Sequence, residues 1–220
     1  MSLSIIILAN GDQSRFPEGS RAKQLLTVDG DPVIVRAVLE FHRRLAVRVK
    51  VVTGNAAIVS ELQGRLGWLG DIWEQIDLGP TSNQLATLAL AHRHWGERTI
   101  CLLGDVYYSD AAVEIISGCQ KPVAFYGRRQ PSEITGKPWG ELVAMAWERA
   151  QDEQMLHSLL HWTSRPLLWS PYRDFAGIAS VGDEYELDGI PCFTEINDWT
   201  EDFDFPADHE EFMRRRAEKA

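Results

Sequence analysis

The sequence predicts an α/β fold, a three-layer Rossmann-like arrangement in which a mostly parallel sheet is flanked by helices. Apolar runs alternate with segments of helical spacing through most of the 220 residues, the pattern of successive βαβ units. The first run, Ile5-Ile6-Ile7-Leu8-Ala9, is continuously apolar, as strands buried on both faces are. It ends in a polar loop carrying Gly11, which is where such folds place ligands, beyond the carboxyl ends of the strands.

Each element follows from its own pattern. Strands are expected at Ile5–Ala9, Val49–Thr53, Ile72–Ile76, Thr99–Leu103, Pro122–Tyr126 and Leu142–Ala146. Val33, Ile34, Ala37, Val38 and Phe41 recur at helical spacing, with Pro32 suited to a first turn. Ala56–Leu66, Asn83–Trp95 and Ala111–Ser117 read as further helices. After about residue 127 the rhythm changes: loops are expected at 127–131 and 136–140, a strand from near Glu141, a helix over 151–163 and a turn at Pro171–Asp174. The length suits one domain, 1–220, and neither a low-complexity linker nor an internal repeat interrupts it.

Composition narrows the function. There are 22 basic and 32 acidic residues, a net charge of −10, which argues against a nucleic-acid partner. Two short basic clusters, His42-Arg43-Arg44 and Arg214-Arg215-Arg216, form no long stripe. Cys101, Cys119 and Cys192 have no metal-ligand spacing, and their odd count suits reduced thiols in a cytoplasm. The apolar run at 5–9 is too short for a signal peptide or membrane span, so a cytoplasmic protein without membrane attachment is expected. The sequence leaves a homo-oligomer open.

The strand end at Leu8 is followed by two cations, Arg15 and Lys23, within one loop. A nucleoside triphosphate needs backbone N–H groups and side-chain cations to replace the water it loses. The stretch Leu8-Ala9-Asn10-Gly11-Asp12-Gln13-Ser14-Arg15, with Lys23-Gln24-Leu25-Leu26 and Val28-Asp29-Gly30-Asp31-Pro32, resembles the signature of the GT-A-like nucleotidylyltransferases. That group includes sugar-1-phosphate, phosphocholine and methylerythritol-phosphate nucleotidylyltransferases. Gln13 stands where the family usually has its second glycine, a departure that matters if that position needs positive φ or close approach to phosphate.

The resemblance implies Mg²⁺-dependent transfer of a nucleoside monophosphate from a triphosphate to a phosphorylated acceptor, such as a sugar phosphate or phosphocholine, with pyrophosphate released. It implies Arg15 and Lys23 as catalytic cations, and Leu8, Ala9, Asn10, Gly11, Asp12, Gln13, Ser82 and Asn83 as nucleotide-binding residues. A turn and a helix N-cap account equally well for Ser82 or Asn83. Residues 1–127 would form the nucleotide half and 128–220 the acceptor half. Arg15-Phe16 and Lys23-Gln24 are similar to cytidylyltransferase members, and CTP or UTP is the expected donor. Lys23 is expected on a loop surface, where replacement costs little stability.

Asp105, after the apolar run Cys101–Leu103 and Gly104, resembles the family's metal-binding aspartate. Asp204 is its expected partner. Asp208 falls at the third position of a helix opened by Pro206, where a carboxylate caps free N–H groups. Glu195 and Asp198 are the fallback ligands. His157 and His161 share a helix face but have no HExxH pattern and no third ligand. Two other readings stand beside transfer: a GT-A glycosyltransferase, although Asp105-Val106-Tyr107 lacks a second Asp, and a non-catalytic nucleotide-binding protein.

Overall fold

A computed structural model describes residues 2–10, 16, 21–81, 83–138, 140–164, 169–176 and 192–219. In chain order the elements are β1 (Leu3–Leu8), β2 (Thr27–Val28), β3 (Asp31–Pro32), α1 (Val33–Leu45), β4 (Val49–Val52), α2 (Ala56–Leu66), β5 (Trp73–Ile76) and α3 (Gln84–Leu90). There follow β6 (Arg98–Leu103), β7 (Val106–Tyr107), α4 (Asp110–Gly118), β8 (Val123–Arg128), β9 (Glu141–Glu148), α5 (Asp152–His161), α6 (Trp169–Ala176), β10 (Phe193–Glu195), β11 (Glu201–Asp202) and α7 (Pro206–Lys219).

Seven strands form one sheet in the order β10-β8-β9-β6-β1-β4-β5. β1 sits between β4 and β6 in parallel register, Ile5 opposite both Val49 and Ile100. This explains why it is apolar throughout: Ile5, Ile6 and Ile7 are fully buried. β9 alone runs antiparallel, to β6 and to β8. The sheet is therefore mostly parallel, as the alternation of strand and helix predicts.

The helices follow their patterns with local corrections. α1 buries Ile34, Val35, Ala37, Val38 and Phe41 and stops at Ala46, whose φ of 54° lets its N–H reach the His42 carbonyl. Asn55 caps α2 by accepting from the N–H groups of Ala57 and Ile58. α3 ends at Leu90 and continues only as a tighter turn to His94. The turn expected at Pro171–Asp174 is instead part of α6, where Pro171 occupies the first turn and its missing N–H costs no helical bond. β10 escapes a periodicity reading because it is three residues long.

The two basic clusters also find their place. His42, Arg43 and Arg44 lie in the last turn of α1, where positive charge opposes the helix dipole. Arg214, Arg215 and Arg216 lie on α7, paired with Glu211, Glu218 and Asp29.

Besides the main core, a smaller apolar cluster joins Val28, Val33, Tyr107, Phe203 and Phe212. It seats α7 against the β2–β3 hairpin and the antiparallel β7–β11 ribbon. The guanidinium groups of Arg36 and Arg216 both lie against the Tyr107 ring, 5.0 and 5.3 Å from its centre. Arg216 continues to Asp29, 2.5 Å away and 187 residues distant in sequence. Burying an aromatic such as Phe212 contributes roughly 2–3 kcal/mol, so this cluster holds the ribbon that positions the site. No described helix is long and apolar enough to cross a membrane.

Candidate functional site

Six expected site residues, Leu8, Ala9, Asn10, Lys23, Asp105 and Asp204, lie at the carboxyl end of the sheet, beside the ends of β1 and β6. Leu8 closes β1, and Ala9 is tied on both sides, its N–H donating to Val52 and its carbonyl accepting from the Thr53 hydroxyl. Asn10 joins three loops at once. Its amide donates to the Gly79 carbonyl at 2.9 Å and the Thr81 hydroxyl at 3.1 Å, and its oxygen accepts from Gly54 N–H at 3.1 Å. Gly11, Asp12, Gln13 and Arg15 lie outside the described residues, as does Ser82.

Gly104 explains how Asp105 reaches this point. Its N–H donates to the Leu8 carbonyl at 2.9 Å, and a Cβ there would stand 2.9 Å from that same oxygen and 3.0 Å from Ala9 Cβ. Only glycine lets the end of β6 close on the end of β1 this tightly. Asp105 is then followed by β7, and the pairs Glu201↔Tyr107 and Asp202↔Val106 of the ribbon bring β11 alongside. Asp204, two residues beyond β11, thereby meets Asp105 across the fold.

Lys23 stands between the two acids. Its ammonium is ion-paired with Asp105 Oδ2 and lies 3.9 Å from Asp204 Oδ1. Its side chain is only 12 % exposed, so Lys23 is not the solvated loop cation that its position suggests. The tight turn at Lys23–Leu25 folds it inward above the buried Leu25. Burial pulls the Lys23 pKa down, but the Asp105 carboxylate, aided by Asp204 and Asp202, pulls it up by more, and the net direction is upward. Asp105 Oδ1 is buried and has no hydrogen-bond partner among the described residues. Such an orphaned oxygen costs roughly 1–3 kcal/mol and suits a hard divalent cation, which takes oxygen ligands.

A second lysine lies deeper. Lys137, with a side chain 4 % exposed, contacts Glu141 Oε1 at 2.7 Å, the Asp202 carboxylate, Asp208 Oδ2 at 3.4 Å and Asp204 Oδ2 at 3.8 Å. Behind it, Arg128 bridges Glu141 at 2.7 Å and Glu201 at 2.8 Å, and the Ser132 hydroxyl donates to Glu201 at 2.5 Å. A continuous network of polar contacts thus runs from Arg128 through Glu141, Lys137 and Asp204 to Lys23 and Asp105. Burial and the hydrogen bond with Asp202 push Glu141 above the usual carboxylate range. Burial also acts upward on Asp202, but the hydrogen bond from Glu141 and the Lys137 charge outweigh it and hold Asp202 low. Lys137 is held above the ordinary lysine value, its neighbouring carboxylates outweighing burial.

Sequence reasoning misses Lys137, Glu141 and Asp202. The signal was a carboxylate opening an otherwise apolar strand, Glu141 before Leu142-Val143-Ala144-Met145, and an arginine closing another, Arg128.

The remaining candidates have local duties. Asp208 Oδ2 accepts from Phe205 N–H at 2.9 Å, a carboxylate at the third helical position reaching back across the start of α7. Glu195 is held by Arg129, through its side chain at 2.6 Å and its N–H at 3.0 Å. Asp198 accepts from the Ser109 hydroxyl and from Thr200 N–H. Both fallback acids are thus engaged by partners other than Lys23 and Lys137. Asn83 caps α3, accepting from Ala86 N–H at 3.0 Å, and its amide donates to the Thr163 carbonyl. His157 and His161 stack at 6.4 Å, and the metal-compatible acid group among the described residues includes neither.

No protein-family model matches the sequence, and neither does any curated protein sequence. Solved structures do match in shape. The chain superposes on the inositol-1-phosphate CTP transferase of T. maritima with a TM-score of 0.66 at 14 % identity, covering 95 % of this chain and 94 % of that one. The CTP:phosphocholine cytidylyltransferase of Streptococcus pneumoniae gives 0.64 at 12 % identity, covering 98 % and 100 %. A UDP-glucose pyrophosphorylase complexed with UDP-glucose gives 0.65 at 12 % identity, covering 100 % of both. From β1 to α7, the chain has the nucleotidylyltransferase fold.

Proposed function

We propose that this chain is a nucleotidylyltransferase that moves a nucleoside monophosphate from a triphosphate to a phosphorylated small-molecule acceptor and releases pyrophosphate. The observation that carries it is the meeting of Lys23, Asp105 and Asp204 at the carboxyl end of β1 and β6. The reaction sets one anion against another, so positioning and charge neutralisation supply most of the catalysis. Asp105 and Asp204 would hold a divalent cation such as Mg²⁺, which when bound would supply neutralisation of phosphate charge. Arg15 and Lys23 serve as the phosphate cations. Asn10 fixes the loops around the nucleotide, and residues 1–127 and 128–220 serve donor and acceptor respectively. CTP or UTP is the donor best suited to the first-loop residues.

A thermal-shift panel of CTP, UTP, GTP, ATP and dTTP with Mg²⁺ tests the donor. A nucleotide at about 100 times its Kd stabilises by roughly 2.7 kcal/mol, or about 5–10 °C for a chain of this size. Pyrophosphate must then appear only when triphosphate and a phosphorylated acceptor are both present. Stabilisation without turnover on any acceptor would favour a non-catalytic nucleotide-binding protein, and turnover of a nucleotide sugar without pyrophosphate would favour glycosyl transfer.

A further inference from the structure

The Lys137 ammonium has three N–H donors, and three acceptors meet them: Glu141 Oε1 at 2.7 Å, the Asp202 carbonyl at 3.0 Å and Asp202 Oδ1. Glu141, Asp202 and Asp204 offer oxygens within 4.8 Å of one another, a spacing that a divalent cation would accept. That space is filled by an ammonium on a covalent tether, which no dilution removes. Glu141 is further engaged by Arg128 at 2.7 Å. The contrast lies on the other side of Asp204. Asp105 keeps one buried oxygen that has no hydrogen-bond partner among the described residues, and the lysine beside it is the more exposed of the two, 12 % against 4 %.

We propose that Lys137 is a positioning residue that acts as a built-in cation: it closes the Glu141–Asp202–Asp204 trio to divalent metal and turns Asp204 toward Asp105. This rests on the transfer reading for the identity of the Asp105–Asp204 pair. The trio by itself resembles a metal site; the lysine within it makes it a spacer. Divalent metal is thereby directed to one place in a region where, among the described residues, six carboxyl groups (Asp105, Glu141, Glu201, Asp202, Asp204 and Asp208) face three cations (Lys23, Arg128 and Lys137).

Mn²⁺ titration of the full chain, read by the electron paramagnetic resonance signal of free Mn²⁺, tests this. The expected result is a wild-type uptake that Asp202→Asn leaves unchanged and Asp105→Asn weakens about tenfold or more. Lys137→Met gains one further equivalent of Mn²⁺, which Asp202→Asn removes in that background, whereas Lys137→Arg gains none. A folded Lys137→Met without added Mn²⁺ overturns the proposal. Should that variant fail to fold, the wild type decides. Mn²⁺ uptake, from zero upward, that is indifferent to Asp202→Asn supports the proposal, and uptake lost with Asp202→Asn overturns it. Pyrophosphate release by the same wild-type sample reports on the transfer reading separately.

Discussion

Replacing Lys23 by Met keeps the aliphatic stem and removes only the ammonium, so the loss measures charge pairing rather than packing. In the folded protein the change leaves Asp105, whose side chain is 5 % exposed, without its ion-pair partner. Breaking a buried pair from one side costs about 3–5 kcal/mol. Lys23 is not wholly buried, and its contact with Asp204 is long at 3.9 Å, so the lower end, about 3 kcal/mol, is expected. For a chain of this size that is a fall in Tm of roughly 6–12 °C. Asp105→Asn in the Lys23→Met background removes the stranded charge, and the double variant should be more stable than the sum of the singles by about 2 kcal/mol. Urea unfolding with a chelator present gives all four corners of the cycle. If Lys23→Met costs under about 1 kcal/mol and adds simply to Asp105→Asn, the lysine is a surface cation after all.

Four further outcomes are expected. Gly127→Ala places a Cβ 1.9 Å from the Glu141 carbonyl, at the point where the β8–β9 register shifts, and should cost about 3 kcal/mol or more; a Tm within about 2 °C of wild type would refute the fit. Asp208→Asn loses a charge–dipole contribution and should cost roughly 0.5–1 kcal/mol with turnover retained; abolished turnover beside a near-normal Asp204→Asn would reverse the roles given to the two acids. Asn10→Ala releases three loop contacts and should weaken triphosphate binding as well as lower stability by about 1–3 kcal/mol, read by thermal shift with and without nucleotide. Raised lysine pKa values make folding bind protons, so the stability from Lys23 and Lys137 is fully present below the ordinary value of 10.5 and is lost as pH climbs through the raised folded values. Lys137→Met should accordingly flatten the fall of Tm above pH 10.5.

The strands and most helices were legible because burial on both faces and helical spacing leave a local trace, as in Ile5–Ala9 and Ala56–Leu66. Asp105 was singled out by resemblance, a carboxylate after an apolar strand and a glycine, at a kind of position where a turn or cap aspartate is also common. The state of Lys23 was not. Its sequence neighbours belong to a polar loop, whereas its burial is imposed by Asp105, which the closure of β6 on β1 brings near, and by Asp204, which the β7–β11 pairing brings near. Lys137 and Glu141 were missed on the same ground, because the partners that give them meaning lie more than 60 residues away, at Asp202.

The β7–β11 ribbon has two residues per strand, too short to fix its own alignment by hydrogen bonds. A slip of one residue would exchange the faces of Glu201 and Asp202, presenting the longer acid to Lys137 and the shorter to Arg128. The alignment is pinned instead from outside, by Phe203 and Phe212 in the cluster beneath α7 and by Arg216 reaching across Tyr107 to Asp29. The last helix therefore acts as a vernier for the chemistry. Substitutions along its inner face, far from any phosphate, would change which acid each buried cation meets.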